Sequence, residues 1–299
     1  MKFKAKILLT GIMLTLVITL LLALLYVQEV ENGRYHRFAE QPAKQFRKNK
    51  LAVLIPFRDR FDELLEFVPH IHSFLSQQGI PHELFVMNQV DHFRFNRGSL
   101  INAGFKEIVS SDSMVDYIAI HDVDLIPLNP LLDYHYPPTG HISHIAAPHL
   151  HPRYHYASFV GGILLITKKD FIHIDGLSNH YWGWGLEDDE FYLRLKEAKI
   201  GIHRPGNLTT GISNTFRHNH ERTVRKRDMT KCYNQREVTR KRDRLTGLHD
   251  VNYIIRKKHN LLLDNVPVMV LNIELKCNRT VTPWCLCSDY GTKNTNKKI

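Results

Sequence analysis

Two pairs of residues with the same spacing could bind a metal ion. Asp122 and Asp124 end an apolar run, and their i, i+2 spacing points both carboxylates to one side of an extended chain. His218 and His220 would present two imidazole rings to one point in the same way, although the chain has 19 histidines and the spacing occurs twice more. Aspartate, imidazole and diphosphate oxygens together form a mixed nitrogen and oxygen site. Such a donor set suits Mn²⁺ better than Ca²⁺ or a thiolate-bound Zn²⁺.

The segment WGWGLEDDE at 182–190 joins a glycine-rich aromatic loop to an acidic helix start. Acidic residues are common in a first helical turn because the helix dipole favours them, and that explanation requires no function. The same dipole keeps a carboxylate ionised and able to accept a proton, while tryptophan rings stack on sugar rings. Tyr154 and Tyr156 either extend this aromatic surface or pack at the edge of the core. Carboxylates beside aromatic rings indicate recognition of sugar hydroxyl groups.

Basic residues lie where a phosphate-bearing ligand would be held. PFRDR at 56–60 and FNRG at 95–98 each follow an apolar run, and arginine binds phosphate oxygens in a bidentate manner. From Arg217 to Arg244 the chain has eleven Lys/Arg against four Asp/Glu. The whole chain carries a formal charge of +10, which favours a nucleotide, a polyanion or a membrane surface as partner. We interpret the basic run as a loop that closes over a polyphosphate, with its remainder contacting an acidic acceptor.

These side chains need a scaffold, and the hydrophobic pattern predicts an α/β protein. Short apolar runs alternate with helix-spaced segments, which is typical of a parallel sheet that binds ligands at the carboxyl ends of its strands. The length of 299 residues, with 43% apolar and 23% charged positions, excludes a disordered, collagen-like or multi-span membrane chain. The predicted strands are 51–57, 82–90, 116–128 and 156–167, and the predicted helices are 60–78, one from near Arg97, and 187–199.

An uncharged segment near the N-terminus predicts a membrane anchor. Residues 7–27 form 21 positions without a charge, and at about 1.5 Å per residue they cover the roughly 30 Å of a bilayer core. Lysines precede the segment and glutamates follow it, so the positive-inside rule keeps the N-terminus in the cytoplasm. A cleaved signal peptide is the alternative, but its apolar core is shorter. We expect a cytoplasmic tail at 1–6, the anchor at 7–27, a stem at 28–50 and a lumenal catalytic domain at 51–299. A domain in the lumen would not meet most nucleic acids, so a nucleic-acid partner is not expected.

The lumen of the secretory pathway is oxidising, which favours disulfide formation among the four cysteines. We expect Cys277 and Cys285, eight residues apart, to be bridged, with Cys287 as a rival partner for Cys277. Cys232 lies in the basic segment and is expected to be free. Two N-glycosylation triplets, which also occur by chance, begin at Asn207 and Asn278.

Taken together, these motifs resemble those of the β-1,4-galactosyltransferase family. The likeness extends from Leu51 to Cys285, and the family's order is kept by PFRDR, FNRG, HDVD at 121–124, GGILL at 161–165, WGWGLEDDE and FRHNH at 216–220. The branch that transfers galactose to xylose on proteoglycan core proteins is similar in NQVDHFRFNR at 88–97, HPRYHY at 151–156, the double histidine and TPWC at 282–285. The branch directed at N-acetylglucosamine carries PFRNR and a Met-x-x-His metal pair, and this chain resembles it less.

The resemblance implies a GT-A fold, which is Rossmann-like with a mixed and mostly parallel sheet, in a single-pass type II protein of the Golgi membrane. It implies an inverting, Mn²⁺-dependent transfer of galactose from UDP-galactose to the 4-hydroxyl of xylose on xylosylated proteoglycan core proteins, with no nucleic-acid partner. Cys277 and Cys285 align with the family's C-terminal disulfide, and Cys287 is extra. Some members of the xylose-directed branch have a third tyrosine just before the glycine pair, where this chain has Phe159.

The resemblance also assigns roles to individual residues. Asp188 would be the catalytic base, and Asp124, His218 and His220 would hold Mn²⁺. The acceptor sugar would contact Tyr154, Tyr156, Trp184, Glu187, Asp188 and Asp189. UDP-galactose would contact Pro56, Phe57, Arg58, Asp59, Arg60, Phe95, Asn96, Arg97, Val123, Asp124, Gly162, Trp184, His218, His220 and Arg227.

Two other functions remain open at this point. A galactosyltransferase of the same fold could act on glycans that end in N-acetylglucosamine. A non-catalytic glycan-binding module could use the same aromatic rings and basic surface only to bind. Transfer assays with xylosides and N-acetylglucosamine glycosides separate the first from a xylose-directed enzyme, and UDP release that depends on both Mn²⁺ and a xyloside excludes the second.

Overall fold

The computed structural model describes residues 17–25, 27–28, 48–110, 114–220 and 225–288. The chain divides into two compact units, 1–47 and 48–299. In the first unit, residues 17–25 and 27–28 are helical. None of the described helices has both the length and the apolar character needed to cross a membrane. The predicted anchor at 7–27 and the predicted stem at 28–50 lie largely outside the described residues.

A β-sheet with helices on its faces forms the frame of the second unit. The strands of this unit are β1 (Leu51–Phe57), β2 (His82–Gln89), β3 (Tyr117–His121), β4 (Leu125–Pro127), β5 (His141–His144), β6 (Ile163–Thr167), β7 (Gly201–His203), β8 (Phe216–His218), β9 (Tyr253–Leu263) and β10 (Val266–Leu275). Its helices are α1 (Phe61–Gln77), α2 (Arg97–Ser110), α3 (Lys168–His173), α4 (Glu187–Glu197), α5 (Ile212–Thr215) and α6 (Gln235–Arg240), with a 3₁₀ turn at Pro283–Cys285.

The centre of the main sheet is parallel, and antiparallel strands flank it. In the described part of the chain, this sheet has eight strands in the order β7-β5-β6-β3-β1-β2-β10-β9, while β4 and β8 form a separate pair. β1 is parallel to both β2 and β3, and β10 is parallel to β2. β6 is antiparallel to β3, and β9 is antiparallel to β10. The prediction of a mixed, mostly parallel α/β sheet is confirmed.

Both faces of the central strand are buried, which is why its sequence is an unbroken apolar run. Leu51, Val53 and Ile55 pack into the core on the α1 side, because alternate residues of a strand point to the same face. Ala52 and Leu54 pack into the core on the α2 side. Burial on both faces fixes the carboxyl end of β1, and with it the residues that follow the strand.

Two predicted strands are shorter than the apolar pattern indicated. The run 116–128 divides into β3 and β4 because the chain turns at Asp122, whose backbone N–H donates to the Gly162 carbonyl at 2.9 Å. After this turn, β4 leaves the main sheet and pairs with β8. The predicted strand 156–167 begins only at Ile163, because Gly162 has a φ of +77°, a conformation that glycine adopts freely and that strands exclude.

The hairpin of β9 and β10 was not predicted. Its two-residue turn, Asp264 and Asn265, has φ values of +49° and +63°, as the type I′ turn favoured in such hairpins requires. The alternation of apolar and polar residues that would predict a strand is interrupted in β9 by consecutive basic residues at 256–258. The hairpin extends the sheet beyond β2 and completes one edge of the core.

Two disulfides join the four cysteines, all of which lie among the described residues. Cys277 and Cys285 are bridged as predicted. The prediction that Cys232 is free is wrong, because it is bonded to Cys287, 55 residues away. Folding brings the basic segment against the C-terminal turn. Because the two cysteines are so far apart in the chain, no local sequence pattern indicates that they pair.

Candidate functional site

A cleft of about 650 Å³ opens at the carboxyl ends of β1 and β3. Its walls come from the loops after these strands, from the start of α4 and from the basic segment after β8. The predicted site residues that line it are Pro56, Arg58, Asp59, Arg60, Phe95, Arg97, Val123, Asp124, Tyr154, Tyr156, Gly162, Trp184, Glu187, Asp188, Asp189, His218, His220 and Arg227. The individual contacts that each makes with a ligand stay predictions.

Backbone pairing between β4 and β8 brings the predicted metal ligands together. Leu125 lies opposite His218 in this antiparallel ladder, and the Asn219 N–H donates to the Asp124 carbonyl at 2.8 Å. Residues two apart on an extended segment project to the same side, so His218 and His220 both reach Asp124. Main-chain hydrogen bonds therefore position side chains that are 96 residues apart in the chain.

Asp124, His218 and His220 offer three ligand atoms that lie within 4.8 Å of one another. The Oδ2 atom of Asp124 is 3.1 Å from Nδ1 of His220 and 3.8 Å from Nε2 of His218. Although burial opposes it, the hydrogen bond with His220 and the charges of both imidazoles hold the pKa of Asp124 below its ordinary value. Burial lowers the pKa of His218. An ionised carboxylate and a neutral imidazole are the forms that bind a divalent cation, so the donor set fits Mn²⁺.

Arg97 connects the turn between β3 and β4, which carries the metal ligand Asp124, to the predicted base. Its guanidinium donates to Oδ1 of Asp188 at 3.1 Å and to Oδ1 of Asp122 at 2.9 Å. The arginine side chain is 13% exposed, so both ion pairs lie in a sheltered part of the cleft. One planar group thereby fixes two carboxylates relative to each other.

Asp188 lies in the first turn of α4, deep in the cleft. Burial, together with the charges of Glu187 and Asp122, raises the pKa of Asp188 to about 8, against the lowering effect of Arg97. Gly161 leaves room for this carboxylate, because a Cβ atom at that position would collide with Oδ2 of Asp188. A carboxylate with a raised pKa is a stronger proton acceptor than an ordinary aspartate, and this suits a general base.

Aromatic rings surround the part of the cleft next to Asp188. The ring of Phe159 is 5.0 Å from that of Tyr154 and 5.5 Å from that of Tyr156, measured between centroids. The guanidinium of Arg227 lies 4.7 Å from the centroid of the Trp184 ring and 5.6 Å from that of Tyr154. Trp184 is 39% exposed and Phe159 only 3%. Phe159 therefore packs the cluster, while Trp184 presents a surface on which a sugar ring can stack.

His151 lines the cleft, although no role was predicted for it from the sequence. Its Nδ1 atom accepts the backbone N–H groups of Arg153 at 2.9 Å and Tyr154 at 3.0 Å. Burial lowers the pKa of His151 to about 3, so the ring is neutral and able to accept both bonds. His151 thereby shapes the loop that carries Tyr154. The HPRYHY motif contains this histidine, but its spacing alone does not distinguish a loop support from a ligand.

The basic segment is held against the Trp184 loop by specific contacts. Arg94 donates to Oδ2 of Asp228 at 2.6 Å and to the Thr230 carbonyl at 2.7 Å. The Trp184 N–H donates to the Asp228 carbonyl at 3.0 Å, and Lys231 donates to the Trp184 carbonyl at 2.8 Å. These contacts, one of which is between backbone groups, join two walls of the cleft. The basic segment was predicted to be a loop that closes over a polyphosphate, but its contacts with the Trp184 loop were not predicted.

Three residues of the predicted nucleotide site have structural roles. Phe57 is buried in the core, and Asn96 is fully buried, with its Oδ1 accepting the N–H of Ser99 at 2.9 Å at the start of α2. Neither lines the cleft. Arg58 does line it, but its guanidinium donates to the carbonyls of Phe93 at 2.6 Å and Asp91 at 3.0 Å. The PFRDR and FNRG motifs therefore do lie at the cleft, but some of their side chains stabilise the surrounding structure and do not face a ligand.

The two asparagines of the N-glycosylation triplets lie on the surface. Asn207 and Asn278 are both exposed, and Oδ1 of Asn278 accepts the N–H of Thr280 at 3.1 Å. Surface exposure is a requirement for modification. Whether either residue carries a glycan stays a prediction.

Two family models match this chain. The N-terminal region of glycosyl transferase group 7 matches residues 18–136, and the N-terminal domain of galactosyltransferase matches residues 141–219. β-1,4-galactosyltransferase 7 of Drosophila melanogaster is 58% identical over 240 residues, which are 80% of this chain and 74% of that protein. Xylosylprotein 4-β-galactosyltransferase of Caenorhabditis elegans is 44% identical over 291 residues, which are 95% of this chain and 99% of that protein.

Solved structures agree with these relatives. The catalytic domain of Drosophila β-1,4-galactosyltransferase 7 in complex with xylobiose has a TM-score of 0.78 at 57% identity, covering 80% of this chain and 100% of that one. A variant of the same enzyme, in complex with manganese, UDP-Gal and xylobiose, has a TM-score of 0.78 at 56% identity, with the same coverage. The mixed sheet and its cleft define a glycosyltransferase with a GT-A-like fold. The chain belongs to the β-1,4-galactosyltransferase family.

Proposed function

We propose that this protein transfers galactose from UDP-galactose to the 4-hydroxyl of xylose on proteoglycan core proteins, with inversion and with Mn²⁺ as cofactor. The observation that carries the proposal is the meeting of Asp124, His218 and His220 with Asp188 in one cleft. The C. elegans relative is named for galactose transfer to xylosylprotein, and the Drosophila variant structure holds manganese, UDP-Gal and xylobiose. Identities of 44% and 56% support carrying both properties over to this chain.

The donor end of the cleft is assigned to the metal and the diphosphate. Asp124, His218 and His220 would hold Mn²⁺, which when bound supplies Lewis-acid stabilisation of the charge on a departing diphosphate. Arg227 is the cationic side chain that we assign to the same diphosphate, because it lines the cleft and lies over the Trp184 ring. A guanidinium in this position can bind two phosphate oxygens at once.

Asp188 acts as the base in a single displacement. The acceptor oxygen bonds to the anomeric carbon as the bond from that carbon to the UDP oxygen breaks, and the hydroxyl proton passes to the Asp188 carboxylate. Inversion follows because attack and departure occur on opposite faces, so no covalent enzyme intermediate forms. Arg97 holds the carboxylate in place at 3.1 Å, while Trp184 and Tyr156 contact the sugar ring and exclude water that would hydrolyse the donor.

We also propose a type II orientation in the Golgi membrane, with 7–27 as the anchor and the catalytic domain in the lumen. The uncharged segment with lysines before it and glutamates after it supports this orientation. The two disulfides of the second unit are typical of proteins that fold in an oxidising compartment. Protease protection of the catalytic domain in sealed Golgi vesicles tests the orientation, and digestion without detergent would contradict it.

The transfer reaction tests the proposed function directly. The full chain in detergent is assayed with UDP-galactose and either a benzyl β-xyloside or the matched N-acetylglucosamine glycoside. We expect transfer to the xyloside that requires Mn²⁺, stops with a chelator and exceeds transfer to the other glycoside by at least about 10-fold. Preference for N-acetylglucosamine, or binding of both sugars without transfer, would show that one of the two alternative functions is correct.

A further inference from the structure

Four basic side chains beside the acceptor end of the cleft have no task in the proposed reaction. They are Lys231, Arg236, Arg240 and Arg242, which we call the basic rim. We propose that the basic rim binds an acidic stretch of the acceptor polypeptide close to the xylosylated residue, and thereby selects among protein acceptors. This inference rests on the proposed function, in which the xylose is attached to a polypeptide.

The helix that carries part of the basic rim is fixed to the residues just before Trp184. Nε2 of Gln235 donates to the Trp182 carbonyl at 2.8 Å, and the Tyr181 hydroxyl donates to the Thr239 carbonyl at 3.1 Å. Both contacts come from the buried side of α6. Its exposed side is thereby held at a constant position next to the aromatic wall of the cleft.

Arg236 and Arg240 share the exposed side of this helix. They are four residues apart, so their side chains lie one turn apart on the same face. Both are exposed, and among the described residues neither forms an ion pair. Their neighbour Lys241, in contrast, is paired with Glu237 at 2.7 Å. The charge that α6 presents to solvent is therefore available to a ligand.

The other two members connect α6 to the acceptor site itself. Lys231 lines the cleft and donates to the Trp184 carbonyl at 2.8 Å. Arg242 lies close enough to Asp189, a predicted xylose contact, for its charge to oppose the rise that burial causes in the pKa of that carboxyl. The basic rim thus leads from the sugar site outward along α6.

The direction of this surface indicates what kind of anion it binds. The diphosphate is assigned to the other end of the cleft, where Asp124 and the two histidines lie, so UDP does not account for Arg236 and Arg240. A lone xylose ring that contacts Trp184 and Asp188 does not extend to α6. A polypeptide that continues from the xylose does extend there, and aspartate or glutamate side chains near the sugar would meet exposed guanidinium groups.

Two xylosylated peptides that differ only in charge test the proposal. One has three Asp or Glu residues beside the xylosylated serine, and the other has Asn or Gln at the same positions, with a benzyl β-xyloside as the third acceptor. At low salt we expect the acidic peptide to have about 10-fold higher kcat/KM than the neutral one, through KM, and 0.5 M salt should abolish the preference. In Arg236→Gln/Arg240→Gln, the preference should be lost while turnover of the xyloside is unchanged.

A charge-matched variant separates recognition from a general effect of net charge. Lys169→Gln/Lys257→Gln also removes two exposed cations, from sites outside the cleft lining, and should keep the preference. Equal kcat/KM for the two peptides in the wild type would overturn the basic rim, as would a preference that survives in Arg236→Gln/Arg240→Gln. Tighter competition by heparin than by the acidic peptide would assign the surface to a sulfated glycan instead. Failure of transfer to the xyloside itself would overturn the proposed function and is distinguishable from all of these results.

Discussion

The two ends of the cleft are held together in different ways. At the metal end, backbone pairing of β4 with β8 fixes Asp124 beside His218. At the acceptor end, a single backbone hydrogen bond from Trp184 to Asp228 is accompanied by side-chain contacts, such as those of Arg94 with Asp228 and of Lys231 with the Trp184 carbonyl. A strand ladder moves only if several hydrogen bonds break together, whereas side-chain contacts exchange one at a time. We therefore expect a metal end that is formed before ligands bind and an acceptor end that adjusts to them.

The largest effect should come from the base that lies between the two ends. Asp188→Asn removes the proton acceptor but keeps the size of the side chain and an oxygen for Arg97, so turnover should fall by about 10³-fold. Binding of Mn²⁺ and UDP should be unchanged, because the metal end does not depend on this carboxylate. Xyloside turnover and UDP affinity measure the two effects. The matched variant Asp189→Asn should keep most of its turnover, and the reverse pattern would make Asp189 the base.

The disulfides should contribute unequally to stability. The entropy of loop closure gives about 4 kcal/mol for the Cys232–Cys287 bond, which spans 55 residues, and about 2.5 kcal/mol for Cys277–Cys285, which spans 8. Replacing the first pair with alanine should therefore lower the free energy of unfolding more than replacing the second pair. Since Cys232 follows Lys231 directly, the first replacement should also raise the KM for xyloside more than that for UDP-galactose. Equal losses of unfolding free energy in the two variants would contradict the unequal contributions, and an unchanged KM for xyloside would show that the longer bond does not stabilise the acceptor end.

A smaller effect on turnover should follow from a substitution at Gly161, which contacts the Asp188 carboxylate. In Gly161→Ala the new Cβ would displace the Asp188 carboxylate, and a misplacement of about 1 Å can cost up to about 100-fold in turnover. We expect a loss in kcat of about 10-fold to 100-fold with unchanged Mn²⁺ affinity. Gly206→Ala is the control, because a Cβ there meets open space. A Gly161→Ala enzyme with normal kcat would mean that the position of this carboxylate is not critical.

The last effect concerns the stability of the metal-free protein as a function of pH. The pKa of Asp188 is about 8 in the folded chain and about 4 when unfolded, so folding favours its protonated form. That contribution is complete below pH 4 and is lost as the pH rises through 8. Asp188→Asn cannot ionise, so its Tm should exceed that of the wild type at pH 8.5 and approach it as the pH falls below about 4.

A carboxylate on the surface provides the comparison for this experiment. Asp62 is 90% exposed, and Asp62→Asn is the control for the removal of a carboxylate from the surface. Scanning calorimetry of the three proteins at several pH values is sufficient. A Tm for Asp188→Asn that falls relative to the wild type as the pH rises would reverse the sign and contradict the raised pKa.

Much of the frame and many of the cleft residues could be predicted from the sequence. β1, α1 and β2 follow from the short length of the apolar runs and from the helical spacing between them, because both are local patterns in the sequence. The acidic helix start next to the aromatic loop indicated a segment that recognises sugar hydroxyl groups, while the choice of Asp188 as the base came from the resemblance. The pairing of Asp124 with His218 and His220 came from resemblance, since no local pattern relates a strand end to a segment 96 residues later.

The features that could not be predicted depend on contacts between residues far apart in the chain or on how side chains pack together. The Cys232–Cys287 bond and the contacts of Arg94 join segments that only the fold brings together. Phe57 and Asn96 belong to motifs that lie at the cleft, but their own side chains are buried. Such a motif includes residues that fix the backbone turn as well as residues whose side chains are exposed. The space that Gly161 leaves for a carboxylate is visible only once both residues have coordinates.

Binding of Mn²⁺ to the purified full chain, followed by electron paramagnetic resonance in the presence of UDP, tests most directly whether one metal site is built beside the base. Asp124→Asn, His218→Ala and His220→Ala should each weaken binding by at least about 10-fold, while Asp188→Asn should bind one ion per chain like the wild type. Wild-type affinity in any of the three ligand variants would show that these side chains do not share an ion and would contradict the proposed site.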